Sequence, residues 1–117
     1  MNSLKKTKEK ITAEPKHWRV WLMDFVDDFR YYKKSEMIAE SFALSDDKID
    51  ALLASTAEKL CDELNLEIPD WIKDIPPAKE PYFVSGLENL KAISIVQSPL
   101  RFKMRNVFVS ESFLSRV

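Results

Sequence analysis

The chain has 117 residues, of which 45% are hydrophobic and 32% are charged, a balance typical of one globular domain rather than a disordered chain. A single glycine argues against Gly-rich phosphate loops and dinucleotide-binding turns. The lone cysteine cannot form an internal disulfide. No apolar run of about 18 residues could cross a bilayer, and no signal-peptide core follows the basic start, so we expect a cytoplasmic protein.

Charge is unevenly distributed along the chain, although the net charge is only −1. Residues 1–23 carry +4, residues 24–80 carry −8 and residues 81–117 carry +3. This pattern predicts that the basic ends lie against the acidic middle of the fold. The alternative is a set of ordinary solvated faces.

The first 13 residues are rich in lysine and poor in apolar side chains, which predicts a flexible basic arm over 1–13 and a single helical domain over 14–117. A helix should begin near Pro15, because proline suits the first helical turn. Its apolar positions recur at helical spacing: Trp18, Trp21, Leu22, Phe25, Phe29 and Tyr32. Further apolar residues widen this stripe, which favours a central helix over a partner surface.

Two more helices are predicted in the acidic middle. Residues 35–42 should form a short helix that buries Met37, Ile38 and Phe42. Ser45 should then cap a long helix that ends near Asn65, with aspartates in its first turn.

A Pro-rich segment follows, with the sequence IPDWIKDIPPAKEP. Pro69 should start a short helical turn that docks Trp71 on the core, and Pro76–Pro77 should force an extended connection. We expect this segment to wrap around the domain, anchored also by Tyr82 and Phe83.

The remaining residues predict short helices. Ser85 and Glu88 form a capping box for a helix over 86–97, although 92–96 also fits a strand. The residues expected to face inward are Leu87, Leu90, Ile93 and Val96. Ser98–Pro99 should open another helix, residues 107–109 should be extended, and Ser110 should cap a terminal turn that carries the apolar residues Phe113, Leu114 and Val117. The whole pattern predicts an all-α fold: one compact domain of about five to six helices, with a wrap-around segment and at most one short extended stretch near 106–109.

Asp24, Asp27 and Asp28 share one face of the first long helix. Paired carboxylates can hold a divalent cation or perform acid–base chemistry, so a small metal-dependent enzyme is one hypothesis. A solvated acidic face is the simpler interpretation, because no other segment supplies further ligands. His17 and Cys61 show no catalytic or zinc-binding spacing, and we expect no cofactor and no metal.

Arg101, Lys103 and Arg105 alternate with Phe102 and Met104. Basic residues interleaved with an aromatic ring can bind nucleic acid, and Lys5, Lys6 and Lys8 would extend such a surface. On a helix, however, residues 101 and 105 share a face while 103 lies roughly opposite and 102 turns inward. That geometry favours docking onto acidic residues of this protein or of a partner.

Four phrases resemble an uncharacterised family of small bacterial proteins: WLMDFVDDFRYY, KLCDELNLEIPDWI, EPYFVSGLENLKA and SPLRFKMRNVFVSESFLSRV. The resemblance covers roughly residues 18–117, and the last phrase is its most specific part. Similar endings follow helix-turn-helix domains in regulator-like proteins, which pair with nucleotidyltransferase-type toxins. The helix-turn-helix domain has no counterpart in these 117 residues.

The resemblance implies a non-enzymatic, antitoxin-like partner of a nucleotidyltransferase-type protein. The broad apolar helices and the absence of a catalytic motif agree with a protein-interaction module. Nucleic-acid binding and metal-dependent catalysis are the alternatives, and homo-oligomerisation stays open. The residues proposed to contact a partner are Arg101, Lys103, Arg105, Asp24, Asp27 and Asp28.

Overall fold

Helix α3 (Asp47–Leu64) lies at the centre of the fold, and nearly every residue between Asp50 and Cys61 is buried. A computed structural model describes residues 2–84, 91–110 and 113–114. Its other helices are α1 (Leu4–Ala13), α2 (Trp18–Tyr32), α4 (Asp70–Lys73), α5 (Lys91–Gln97) and α6 (Leu100–Lys103), with 3₁₀ turns at Pro15–His17 and Ser35–Ile38. The predicted all-α fold is therefore confirmed as one compact helical globule.

The two long predicted helices are present with nearly the expected ends. In α2 the predicted apolar stripe is buried at Leu22, Phe25 and Phe29. The cap of α3 is one residue later than predicted: the Asp46 carboxylate, not Ser45, accepts the backbone N–H of Lys48 at 3.0 Å. Both helices end on a left-handed residue that stops the helical ladder.

The expected N-terminal arm is instead helix α1. Its first turn is capped by Ser3, whose hydroxyl accepts the Lys6 N–H at 3.1 Å. Leu4 and Ile11 are buried in the core, and the ammonium of Lys8 is buried beside the carboxylate of Asp50. The segment is ordered because this ion pair and two well-placed apolar side chains attach it to the body, which its local composition did not reveal.

In place of the helix predicted over 35–42, the chain forms a shorter 3₁₀ turn, Ser35–Ile38. The helical turn predicted after Pro69 is present as α4, and the docking of Trp71 is confirmed. Its indole N–H donates to the carbonyl of Ile38 at 2.9 Å, and its ring meets Phe42 edge-on at 5.4 Å.

The Pro-rich segment leads to two short strands, β1 (Tyr82–Phe83) and β2 (Val107–Phe108), which pair in parallel. The extended stretch predicted at 107–109 is confirmed, whereas the strand β1 was expected only as an anchored connection. Ala78 N–H donates to the carbonyl of Arg105 at 2.9 Å, so this pairing continues before β1. The Pro-rich segment is thus fastened to the residues that follow α6.

The expected inward orientation of α5 is wrong at Ile93 and Val96, which are exposed, whereas Ser94 is buried. The capping box at Ser85–Glu88 and the residues Leu87 and Leu90 lie outside the described residues. In the terminal turn, Phe113 N–H donates to the carbonyl of Ser110 at 3.1 Å and Leu114 is buried; Val117 lies outside the described part. None of the described helices has the length and apolar character needed to cross a membrane.

Candidate functional site

The three C-terminal cations predicted for partner contact occupy different environments. Helix α6 places Arg101 and the following Arg105 on the side that faces α3, while Phe102 is buried as expected. Both guanidinium groups approach the same buried carboxylate of Glu58 on α3. The predicted docking of the basic C-terminal segment onto the acidic middle is therefore confirmed.

Arg101 forms a two-pronged ion pair with Asp62 at the edge of this cluster. Its Nε and Nη2 atoms donate to the two carboxylate oxygens at 2.9 and 3.1 Å. The hydrogen bond from the guanidinium lowers the pKa of Asp62 and raises that of Arg101. About a third of the Arg101 side chain stays exposed, so it stands at the border of the solvent-facing surface.

Arg105 lies inside the protein. It forms an ion pair with Glu58 and donates to the carbonyls of Ile72 at 2.8 Å and Ile75 at 3.2 Å. Burial lowers its pKa. This guanidinium joins α3, α4 and the C-terminal segment, and it has no surface to offer a partner, contrary to its place among the partner-contact residues.

Lys103 is the exposed member of the three, as its position opposite Arg101 and Arg105 predicts. Its ammonium donates to the carbonyl of Val96 at 3.3 Å, across the junction between α5 and α6. The structure therefore brings Arg101 and Arg105 together on Glu58 and leaves Lys103 at the surface beside α5.

The three aspartates predicted for partner or metal contact lie on α2, in varied settings. Asp28 is half-buried and accepts from the backbone N–H and the side-chain amide of Asn2, at 2.9 and 3.0 Å. Asp27 is exposed and Asp24 is half-buried. Within the described residues no group of three histidine, cysteine, aspartate or glutamate side chains is arranged to hold a metal ion. Asp28 instead helps to hold the N-terminal segment against α2.

The remaining nucleophile and base candidates are far from ideal for catalysis. Cys61 is fully buried, and burial raises the pKa of its thiol to about 11, with the nearby carboxylate of Asp62 acting in the same direction. His17 is exposed and meets Trp21 edge-on at 6.5 Å. A thiol that stays protonated at neutral pH is a poor nucleophile.

The N-terminal lysines predicted for nucleic-acid contact also turn toward carboxylates. Lys8 is buried with Asp50, and Lys5 donates to Glu40 at 3.2 Å. Lys6 is exposed. Together with the pairing of Arg101 and Arg105, these contacts leave few of the six cations for phosphate groups.

The most unusual surface of the described protein is the outer face of α5. A helix of a small domain normally turns its apolar side inward, yet the one buried residue of α5 is Ser94. Helical geometry then directs Ala92 and Val96 straight outward and puts Ile93 and Ile95 on the flanks. The exposed fractions agree: 76% for Val96, 49% for Ile93 and 48% for Ile95.

The residues after α5 explain this orientation. The hydroxyl of Ser98 accepts a hydrogen bond from the N–H of Val109 at 2.8 Å, and its single O–H donates toward the carbonyl oxygens of Ser94 and Val109. These contacts fix the Ser94 side of the helix against the body, close to β2. The opposite side, which is entirely apolar, must face outward.

Two further apolar side chains are exposed on α6, the helix that follows: Leu100 at 70% and Met104 at 62%. They border an open groove of about 480 Å³ whose other residues include Lys59 and Asp62 on α3. We call the set Ile93, Ile95, Val96, Leu100 and Met104 the α5–α6 apolar surface. Exposed apolar residues grouped in this way mark interaction sites more often than scattered ones do.

No protein-family profile matches this chain, and comparisons with curated proteins and with solved structures also give no match. The family resemblance of the four sequence phrases thus stays a prediction. The functional interpretation has to come from the geometry of the surface.

Sequence reasoning did not find the α5–α6 apolar surface, although one signal was present. The run from Ala92 to Val96 is apolar at four of five positions, so it has apolar residues on almost every side of a helix. Such a helix exposes apolar residues wherever it lies at the edge of a domain. The single serine, Ser94, was the only local indication of which side is held inside.

Proposed function

We propose that this protein is a non-enzymatic helical module that binds a partner protein through the α5–α6 apolar surface. The observation that carries the proposal is the reversed orientation of α5, which buries a serine and exposes isoleucine and valine. Burying those side chains in water-free contact would stabilise a complex by roughly 25 cal/mol for each Å² of apolar area. In the isolated chain these side chains stay in contact with water, so this free energy is gained only when a partner covers them.

The rest of the domain holds α5 and α6 in fixed positions. Arg101 and Arg105 fasten α6 to α3, and the hydroxyl of Ser98 fastens the end of α5 to Val109. The apolar side chains therefore project from an ordered base, which lowers the entropic cost of binding. An antitoxin-like role toward a nucleotidyltransferase-type protein is the first candidate to test, because the sequence resemblance implies it.

Site-directed photocrosslinking in living cells tests this proposal. The photoreactive residue p-benzoylphenylalanine replaces Val96 in one variant and Tyr31 in a control variant. The two positions are equally exposed, at 76%, but Tyr31 lies on α2, outside the apolar surface. We expect a discrete protein adduct at position 96 that is absent at position 31.

The adduct has to behave as a specific complex after purification. The captured partner, expressed with this chain, should elute with it in gel filtration, and Val96→Asp should separate the two proteins. Absence of an adduct at position 96, or equal adducts at both positions, would contradict the proposal.

A further inference from the structure

We infer that a cleft beside α1 binds a neutral, largely apolar small molecule that carries one hydroxyl or amine group. The cleft has a volume of about 470 Å³, a size typical of small-molecule sites. Helix α1 forms one wall, and the irregular segment 42–45 forms the other. The residues that line it are distinct from those of the α5–α6 apolar surface, so this binding would be separate from the binding of a partner protein.

A buried lysine at the floor of the cleft joins its two walls. Lys8 belongs to α1, and its side chain is only 6% exposed. Its ammonium pairs with the carboxylate of Asp50 on α3 and donates to the carbonyl of Ala43 at 3.1 Å. The ammonium also lies 4.9 Å from the centre of the Phe42 ring. Because one group contacts both walls, the width of the cleft is fixed before a ligand binds, which lowers the entropic cost of binding.

The charges around the cleft favour a neutral ligand. The carboxylate of Asp50 is saturated, since Lys8 pairs with one oxygen and two backbone N–H groups donate to the other at 2.9 and 3.2 Å. At the rim, Lys5 and Glu9 supply one charge of each sign, and Lys5 pairs with Glu40 at 3.2 Å. A charged ligand would therefore lose its hydration without gaining a buried counter-charge in exchange.

The polar group of the ligand is specified by Thr12. Its hydroxyl donates to the carbonyl of Lys8 at 2.9 Å, so the oxygen has only acceptor capacity left for a ligand. Thr12 and Ser45 line both the cleft and a smaller cavity of about 200 Å³ beside it, whose walls include Ile11 and Ile49. A ligand with apolar groups on both sides of a hydroxyl or amine donor would fit this arrangement.

Two fluorescent probes with the same ring system test the preference for a neutral ligand. N-phenyl-1-naphthylamine is neutral and has one N–H group, whereas 8-anilino-1-naphthalenesulfonate adds a sulfonate to the same rings. The full chain is titrated into a fixed low concentration of each probe, and the rise in fluorescence gives the dissociation constant. We expect one neutral probe to bind per chain, at least about tenfold more tightly than the anionic probe.

Matched variants test the location. Ala13 and Ala92 are both exposed, but Ala13 lines the cleft and Ala92 lies on the outer face of α5. Ala13→Phe should weaken binding of the neutral probe at least about tenfold, whereas Ala92→Phe and Val96→Asp should leave it within about twofold of wild type. Thr12→Val, which removes the acceptor, should weaken it about threefold to tenfold. Circular dichroism confirms that each variant is folded.

Four results would overturn the inference. The first two are no binding of the neutral probe and equal or tighter binding of the anionic one. The third is binding that Ala13→Phe leaves unchanged or that Val96→Asp abolishes, since the probe would then lie elsewhere. The fourth is a dimer in sedimentation equilibrium that Ala13→Phe dissociates, which would identify a second copy as the occupant. Photocrosslinking at position 96 tests the proposed function separately, because position 96 is not part of the cleft.

Discussion

Replacing Glu58 with glutamine should destabilise the fold far more than the same change at Glu63. Both residues lie on α3 and both pair with an arginine. The side chains of Glu58 and Arg105 are only 4% and 8% exposed, whereas those of Glu63 and Arg30 are 36% and 31% exposed. The two substitutions therefore compare a buried ion pair with a partly solvated one at constant side-chain shape.

The magnitude follows from what each change leaves behind. Glu58→Gln leaves the guanidinium of Arg105 buried without its carboxylate, which typically costs about 3–5 kcal/mol. The glutamine oxygen and the carbonyls of Ile72 and Ile75 still accept hydrogen bonds, so we expect the lower end, about 3 kcal/mol. Glu63→Gln should cost at most about 1 kcal/mol, because water solvates both partners.

Urea unfolding followed by tryptophan fluorescence measures both values, since the chain has three tryptophans. With a slope of about 2 kcal/mol per molar urea, the midpoint should fall by about 1.5 M for Glu58→Gln and by less than about 0.5 M for Glu63→Gln. Equal shifts for the two variants would refute the role assigned to the buried cluster.

Three other predictions concern acid stability, the thiol and the apolar surface. The pKa of Asp62 is lowered in the folded state by Arg101, so the stability that this pair adds is complete above the ordinary value of 3.8 and is lost as the pH falls through the folded pKa. The stability difference between wild type and Asp62→Asn, from urea unfolding, should be constant above about pH 5 and shrink below it; a pH-independent difference would contradict this. Cys61 should react with Ellman's reagent at pH 8 only as fast as the chain unfolds, because its thiol is buried and its pKa is about 11; rapid labelling of the native protein would argue against its burial. Val96→Asp should change the unfolding free energy by no more than about 0.5 kcal/mol, whereas Phe102→Ala, which empties a buried site, should cost about 3–5 kcal/mol; a comparable cost at Val96 would mean that α5 packs inward after all.

The long central helices could be predicted from the sequence because their apolar residues repeat at 3.6-residue spacing over four or more turns. The spacing of Arg101 and Arg105 also predicted their shared face and their attraction to the acidic middle. The identity of their partners could not be predicted, because Glu58 and Asp62 are two of fifteen acidic residues between positions 24 and 80. Only the tertiary path of the chain selects them.

The two segments predicted least well, α1 and α5, depend on contacts between distant parts of the chain. Lys8 is buried because the carboxylate of Asp50, 42 positions away, accepts a hydrogen bond from its ammonium, and no local sequence pattern predicts that pair. The side of α5 that is buried depends on the bonds between Ser98 and Val109, which attach the Ser94 face. Periodicity alone predicted that Val96 faces inward. It identifies the apolar face of a helix but does not say whether that face packs against the core of the domain or is exposed.

The central claim is that the α5–α6 apolar surface binds a partner protein. Its most direct test is the dissociation constant of the purified partner captured at position 96, measured for wild type, Val96→Asp and Tyr31→Asp. We predict that Val96→Asp weakens binding by at least about tenfold and that Tyr31→Asp leaves it within about twofold of wild type. Equal affinities for all three proteins, or a larger loss for Tyr31→Asp, would contradict the claim.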